Sequence, residues 1–173
     1  MTRWLNANQQ RNWRSFLAVV VVLPDLFSKD LQDCRELTLS DYEILVRLSE
    51  APNRCIRMSD LAERVMSSRS RLTHQIDRMI AAGLVERTLC EEDKRGFNAV
   101  LTDFGYEKLV SAAPDHVESV RKHLVDVLSD EEFEKLGQIS RKIFAALDPQ
   151  MQRKIMDGLP KDEKWPKAID VKR

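Results

Sequence analysis

The stretch 58–101 constrains the fold more tightly than any other part of the chain. It opens with Met58-Ser59-Asp60-Leu61-Ala62-Glu63-Arg64-Val65 and continues with Ser67-Ser68-Arg69-Ser70-Arg71-Leu72-Thr73-His74-Gln75-Ile76-Asp77-Arg78-Met79-Ile80. At about 100° per residue, Leu72, Ile76, Met79 and Ile80 fall in one stripe of a helix, and Ser70, Arg71, His74 and Arg78 fall on the other side. Ser67 or Ser68 can cap its start and Gly83 can end it. Val85 to Leu89 and Phe97 to Leu101 then read as strands, joined by the charged turn Glu91-Glu92-Asp93-Lys94-Arg95-Gly96. Two short amphipathic helices followed by a basic-tipped hairpin are the layout of a winged helix-turn-helix.

The chemistry of the second helix fits that layout. From Arg64 to Arg78, Arg64, Arg69, Arg71 and Arg78 stand against a single acid, Asp77. Arginine bonds guanine edges bidentately, serine, threonine and histidine reach base edges or phosphates, and the positive charge displaces counterions. A solvated surface helix shows similar charges. The basic turn directly after the basic helix favours the groove reading, because both reach one duplex together.

The chain resembles the multiple antibiotic resistance regulator (MarR) family. The residues that carry the resemblance are Leu61-Ala62-Glu63, Ser68-Arg69-Ser70, Asp77-Arg78-Met79, Gly83-Leu84-Val85, and Asp93-Lys94-Arg95 followed by Leu101-Thr102-x-x-Gly105. The resemblance runs from about Trp13 to Leu147 and is strongest from Leu39 to Gly105. It implies a mainly α fold with a small β-hairpin wing: a winged helix-turn-helix with long N- and C-terminal dimerisation helices. Residues 1–36 together with 104–173 would form the helical dimerisation region, and 37–103 the DNA-binding region. Arg95 would enter the minor groove, braced by Asp93. Ser70, Arg71, Thr73, His74 and Arg78 would face the major groove and its phosphates, with Ser68 at the helix start. His74 departs from the basic residue often found there. Arg64, Arg69, Arg87 and Lys94 would contact phosphates, which position without specifying.

The same resemblance implies a homodimer on double-stranded DNA, its recognition helices about one turn (~34 Å) apart on an imperfect inverted repeat. Repression by blocking polymerase is the family's common mode. Many relatives release DNA when a small aromatic or phenolic effector binds between dimer base and reader. Trp13, Phe16, Tyr42 and Arg47 would be the candidate lining, although core or hinge packing also accounts for each.

Outside the reader the chain is predicted helical. Over 8–33, Trp13, Phe16, Leu17, Val20, Leu23, Phe27 and Leu31 recur at helical spacings, with Val19, Val21 and Val22 between them. A helix so apolar all round needs covering on several sides, which points to self-association. Pro24 should kink or break it, and the run 19–22 is also compatible with a strand. A second long helix is expected over 103–127, capped by Thr102 and interrupted at Pro114. A third is expected over 129–147, opened by the capping box Ser129-Asp130-Glu131-Glu132. Asp148-Pro149 should start a short helix over 150–157, with Gly158 as its stop. In the charged tail, Trp165 reads equally as a docking contact or an exposed ring.

Composition narrows the function. The 173 residues carry 28 basic and 28 acidic side chains, so any DNA affinity must come from local charge. The longest apolar run, 18–23, is far short of the ~20 residues needed to span a bilayer, and no secretory signal is evident. No membrane association and a cytoplasmic location are therefore expected. Cys34, Cys55 and Cys90 form no CxxC pair and read as thiols without a role. No cofactor or metal is expected. His74, His116 and His123 are dispersed, and no phosphate loop, nucleophile elbow or metal-ligand spacing occurs, so an enzyme is not expected. A winged helix that binds protein rather than DNA is the alternative, and Arg71, Arg78, Lys94 and Arg95 count against it.

Overall fold

The computed structural model of the chain describes residues 1–90 and 96–150. Six helices and three strands follow one another: α1 (Ala7–Arg35), α2 (Leu39–Glu50), β1 (Cys55–Arg57), α3 (Met58–Arg64), α4 (Arg69–Ala81), β2 (Val85–Leu89), β3 (Phe97–Leu101), α5 (Asp103–His123) and α6 (Asp130–Leu147). Local chemistry sets the starts. Asn6 with Gln9, Thr38 with Asp41, and Ser129 with Glu132 form capping boxes for α1, α2 and α6, each satisfying two otherwise orphan donors.

Neither proline breaks its helix: α1 runs through Pro24 and α5 through Pro114. Each proline is exposed, so the carbonyl one turn earlier, which loses its donor, can turn to water. The run 19–22 is helical. Beyond His123 the expected helix tightens into a 3-10 turn at Val125–Val127. The helix expected over 150–157 lies almost wholly outside the described residues, as does Trp165.

The sheet has three strands in the order β1-β3-β2, both pairs antiparallel. Val85 faces Leu101 and Leu89 faces Phe97, the hairpin expected from sequence. β1 was not foreseen; it pairs Ile56 with Ala99 on the other edge of β3. Leu37, Ile44, Leu45, Leu48, Leu61, Leu72, Ile76 and Leu109 are almost fully buried among α2–α5 and the sheet. Leu31 is the one residue of α1 buried, and α6 has none.

At the base, α1 packs on α5. His116 lies half-buried between Phe27 and Tyr42, 4.4 Å from the Tyr42 ring centroid. The Asp30 carboxylate accepts from Ser119 Oγ at 2.6 Å and lies 3.2 Å from His123 Nε2. These histidines thus pack within the chain. Among the described residues no helix is long and apolar enough to cross a membrane, and no group of three or more potential metal ligands gathers.

Candidate nucleic-acid interface

The helix that carries the basic front is α4, and its inner face fixes it. Leu72 and Ile76 are fully buried and Met79 nearly so, which matches the stripe read from sequence. The turn before it uses Met66 in the left-handed region (φ 50°), with Met66 N–H donating to Glu63 O and Ser67 N–H to Ala62 O. Ser68 Oγ then accepts from Arg71 N at 3.2 Å and caps the helix. At the far end Gly83 takes φ 73°, and the Gly83 and Leu84 N–H groups close on Ile80 O and Met79 O. That pattern is a Schellman stop, for which glycine has no Cβ penalty.

Held this way, α4 presents a polar front. Ser68, Arg69, Ser70, Arg71, Thr73, His74 and Arg78 are all exposed, as is Arg64 at the end of α3. Thr73 Oγ1 donates to Arg69 O at 2.9 Å. Asp77, the only acid on α4, is paired with Arg87 of β2 at 2.8 Å. Arg87 is half-buried, lies over Phe97 at 5.6 Å from the ring centroid, and its Nε has no hydrogen-bond partner among the described residues. Its guanidinium therefore ties β2 to α4. Asp93, Lys94 and Arg95 lie outside the described residues.

Between α3, α4 and the wing is a hollow of about 530 Å³, lined by Arg57, Met58, Ser59, Arg69, Thr73, Arg87, Gly96 and Phe97. Three guanidinium groups around one concavity suit an anion, with Arg87 also paired to Asp77 and the Ser59 and Thr73 hydroxyls already donating to Asp60 and to Arg69 O. Arg57 was missed from sequence, because a three-residue strand carries too little alternation to be recognised. Gln75 was missed as well. It is buried on the inner face of α4 and donates from Nε2 to Asp41 Oδ1 of α2 at 3.0 Å. Its signal was partial: Gln75 stands three residues after Leu72 and four before Met79, at the edge of the apolar stripe.

The four residues named for an effector pocket are dispersed. Trp13 and Phe16 stand exposed on α1 with their rings 6.3 Å apart. Tyr42 is in the core, and burial pushes its phenol up to about 12. Phe16 precedes Phe27, the α1 residue at His116, by about 16 Å of helix. Arg47 pairs with Glu50 at 3.7 Å. Burial pushes the Glu50 carboxyl up, and Arg47 and Arg64 pull it back.

A sequence model of the MarR family matches residues 37–97, the segment holding α2 through the start of β3. Over 86% of this chain and all (100%) of that one, the structure is similar to AbsC, a MarR family transcriptional regulator from Streptomyces coelicolor, at 48% identity and a TM-score of 0.81. The chain belongs to the MarR family. Sco3205, another family member from S. coelicolor and solved in complex with DNA, is similar over 87% of this chain and 94% of its own, at 40% identity and a TM-score of 0.83. The transcriptional repressor MprA of Escherichia coli (strain K12) is 32% identical over 111 residues, 64% of this chain. That match spans 62% of the length of MprA.

Proposed function

We propose that this MarR-family chain is a transcriptional regulator, acting as a repressor, that binds an inverted-repeat operator in double-stranded DNA as a homodimer. The observation that carries the reading is the front of α4, where Arg69, Arg71, Arg78, Ser70 and His74 stand exposed on a helix with a buried back and both ends capped. The DNA complex of Sco3205, at 40% identity, supports it. In this reading 37–103 is the reader and 1–36 with 104–173 the dimerisation region. Arg64, Arg69 and Arg87 contact phosphates, while Lys94 and Arg95, braced by Asp93, reach the duplex from the wing.

The uncovered apolar faces support the homodimer. Phe16, Val19, Val20, Val21 and Val22 of α1 are 44–55% exposed, and Phe133, Leu136, Ile139, Ile143 and Leu147 of α6 are 37–77% exposed. Along α1 and α6 runs an apolar cleft of about 830 Å³. A second copy of these helices would remove that surface from water at about 25 cal/mol per Å². Release by a small aromatic or phenolic anion fits the hollow at Arg57, Arg69, Arg87 and Phe97 better than Trp13, Phe16, Tyr42 and Arg47.

The test is selection of bound duplexes from a random pool, then titration of the winner at two salt concentrations. The expected result is an inverted repeat whose affinity falls steeply with salt, by a log–log slope of about −0.9 per phosphate neutralised, and falls again in Arg71→Ala. Recovery of no consensus would refute the reading and leave the winged helix as a protein-binding module.

A further inference from the structure

One buried polar bond ties α4 to the rest of the molecule. Gln75 and Asp41 are both buried, and Gln75 Nε2 donates to Asp41 Oδ1 at 3.0 Å. The carboxylate is not free to follow the amide. Thr38 Oγ1 donates to its other oxygen at 2.6 Å, and the Asp41 N–H donates back to Thr38 Oγ1 at 3.1 Å. One turn of capping thus holds Oδ1 aimed at α4. The next residue, Leu39, donates its N–H to Ser28 Oγ of α1 at 3.3 Å. A continuous path of hydrogen bonds and helix backbone therefore runs from α1 through the start of α2 to the inner face of α4, and α2 also packs on α5.

The other contacts behind α4 are Leu72, Ile76 and Met79. Apolar contacts are non-directional and tolerate small rotations and slides. A hydrogen bond weakens steeply once its angle or distance leaves a narrow range. On the buried face of α4, Asp41–Gln75 is the directional contact, and the more exposed Asp77–Arg87 pair ties the helix to β2 rather than to the dimerisation helices. Apolar residues of the same volume would pack there without the cost of burying a carboxylate, so the pair's return is geometric. We infer that Asp41 and Gln75 are positioning residues that fix α4 relative to the dimerisation helices and thereby set the half-site spacing the dimer accepts. This rests on the DNA-binding homodimer reading above.

The test uses the full chain and three variants: Gln75→Met, which keeps the volume and removes the donor; Gln75→Glu, which sets two carboxylates face to face; and Asp41→Asn/Gln75→Glu, which rebuilds the bond with its polarity reversed. Each is titrated against the selected operator and against operators lengthened or shortened by one central base pair. Melting and sedimentation are measured in parallel. The wild type should prefer its own spacing by about tenfold. Gln75→Met should lose most of that preference while remaining a folded dimer. Gln75→Glu should lose it as well, and the double variant should recover it.

Gln75→Met keeping the wild-type preference would overturn the inference, as would an equal loss at every spacing in step with a lowered melting temperature. Those outcomes leave the DNA-binding reading standing. Failure of the wild type to bind any duplex specifically would overturn both.

Discussion

Gly105→Ala tests whether the wing and α5 are fitted as tightly as the structure shows. Gly105 is buried in the first turn of α5. A Cβ there would lie 2.0 Å from Leu84 O and 2.9 Å from Leu101 Cδ1. The oxygen belongs to backbone that also accepts from Thr102 N at 3.2 Å and Thr102 Oγ1 at 3.0 Å, so it cannot move without loosening the cap of α5. In an open helix the same substitution stabilises by about 0.5–1 kcal/mol. Here α5 must back away by roughly 1 Å, and overpacking of this kind costs about 1–3 kcal/mol, with about 1 kcal/mol more if the Thr102 cap is lost. The balance is a destabilisation of about 2 kcal/mol, or roughly 4–8 °C in melting temperature for a chain of this size. Thermal melts at one fixed protein concentration would read it, because association also moves the midpoint. A melting temperature equal to or above the wild type would refute the close approach and the account of this glycine.

Tyr42→Phe should flatten the alkaline limb of stability. The folded phenol holds its proton up to about 12, so this stabilisation is complete below pH ~10 and is lost as pH rises from there toward the folded value, about 2–3 kcal/mol in all. Urea midpoints across that window would show it, and an equal loss in wild type and variant would contradict burial as the cause. Asp77→Ala removes the one acid of α4 and releases Arg87 from its 2.8 Å pair. Non-specific DNA affinity should rise and the salt slope steepen by about one, and an unchanged slope in a salt titration would show that Arg87 does not reach phosphate. Ile139→Asp, on the exposed apolar face of α6, should yield a monomer in sedimentation that retains half-site contacts and loses the palindrome preference. A persistent dimer would move the interface elsewhere.

The reader was legible because its rules are local. A 3.6-residue stripe, Ser68 before Arg69, Gly83 after Ala82, and alternation in two strands each specify their own neighbourhood, and the structure follows all of them. The misses share a different cause. β1 is three residues long, and its identity as a strand comes from β3 beside it, a partner more than 40 residues away. The local rule predicts a kink or break at Pro24 and an interruption at Pro114 because it counts the lost bond and the ring clash; it does not count the long, capped helix on either side. Gln75 sits at the edge of the apolar stripe, where the local pattern gives it no role, although a glutamine at a buried position requires a partner. Finding Asp41 as that partner takes the approach of α2 to α4 through that one bond, which no spacing reveals.

Charge and apolar surface divide the molecule into two unlike halves. The chain has no net charge, yet the front of α4 holds three exposed arginines and an acid already paired, while α6 opens with Asp130, Glu131 and Glu132. On the proposed function, an anionic duplex would be drawn toward α4 and repelled from the start of α6, which would orient the protein before any base is touched. Burial follows the same division. The core from Leu31 to Ala112, which draws on α1 and α5 as well as the winged helix, closes within one chain, whereas Val19 to Val22 and Ile139 gain hydrophobic stabilisation only when something covers them. On the proposed homodimer reading, association would cover that surface and add to the stability of α1 and α6. Because α2 packs on α1 and α5 and is bonded to α4, a dimer of that kind would carry the geometry of its base through α2 to the arginines of α4.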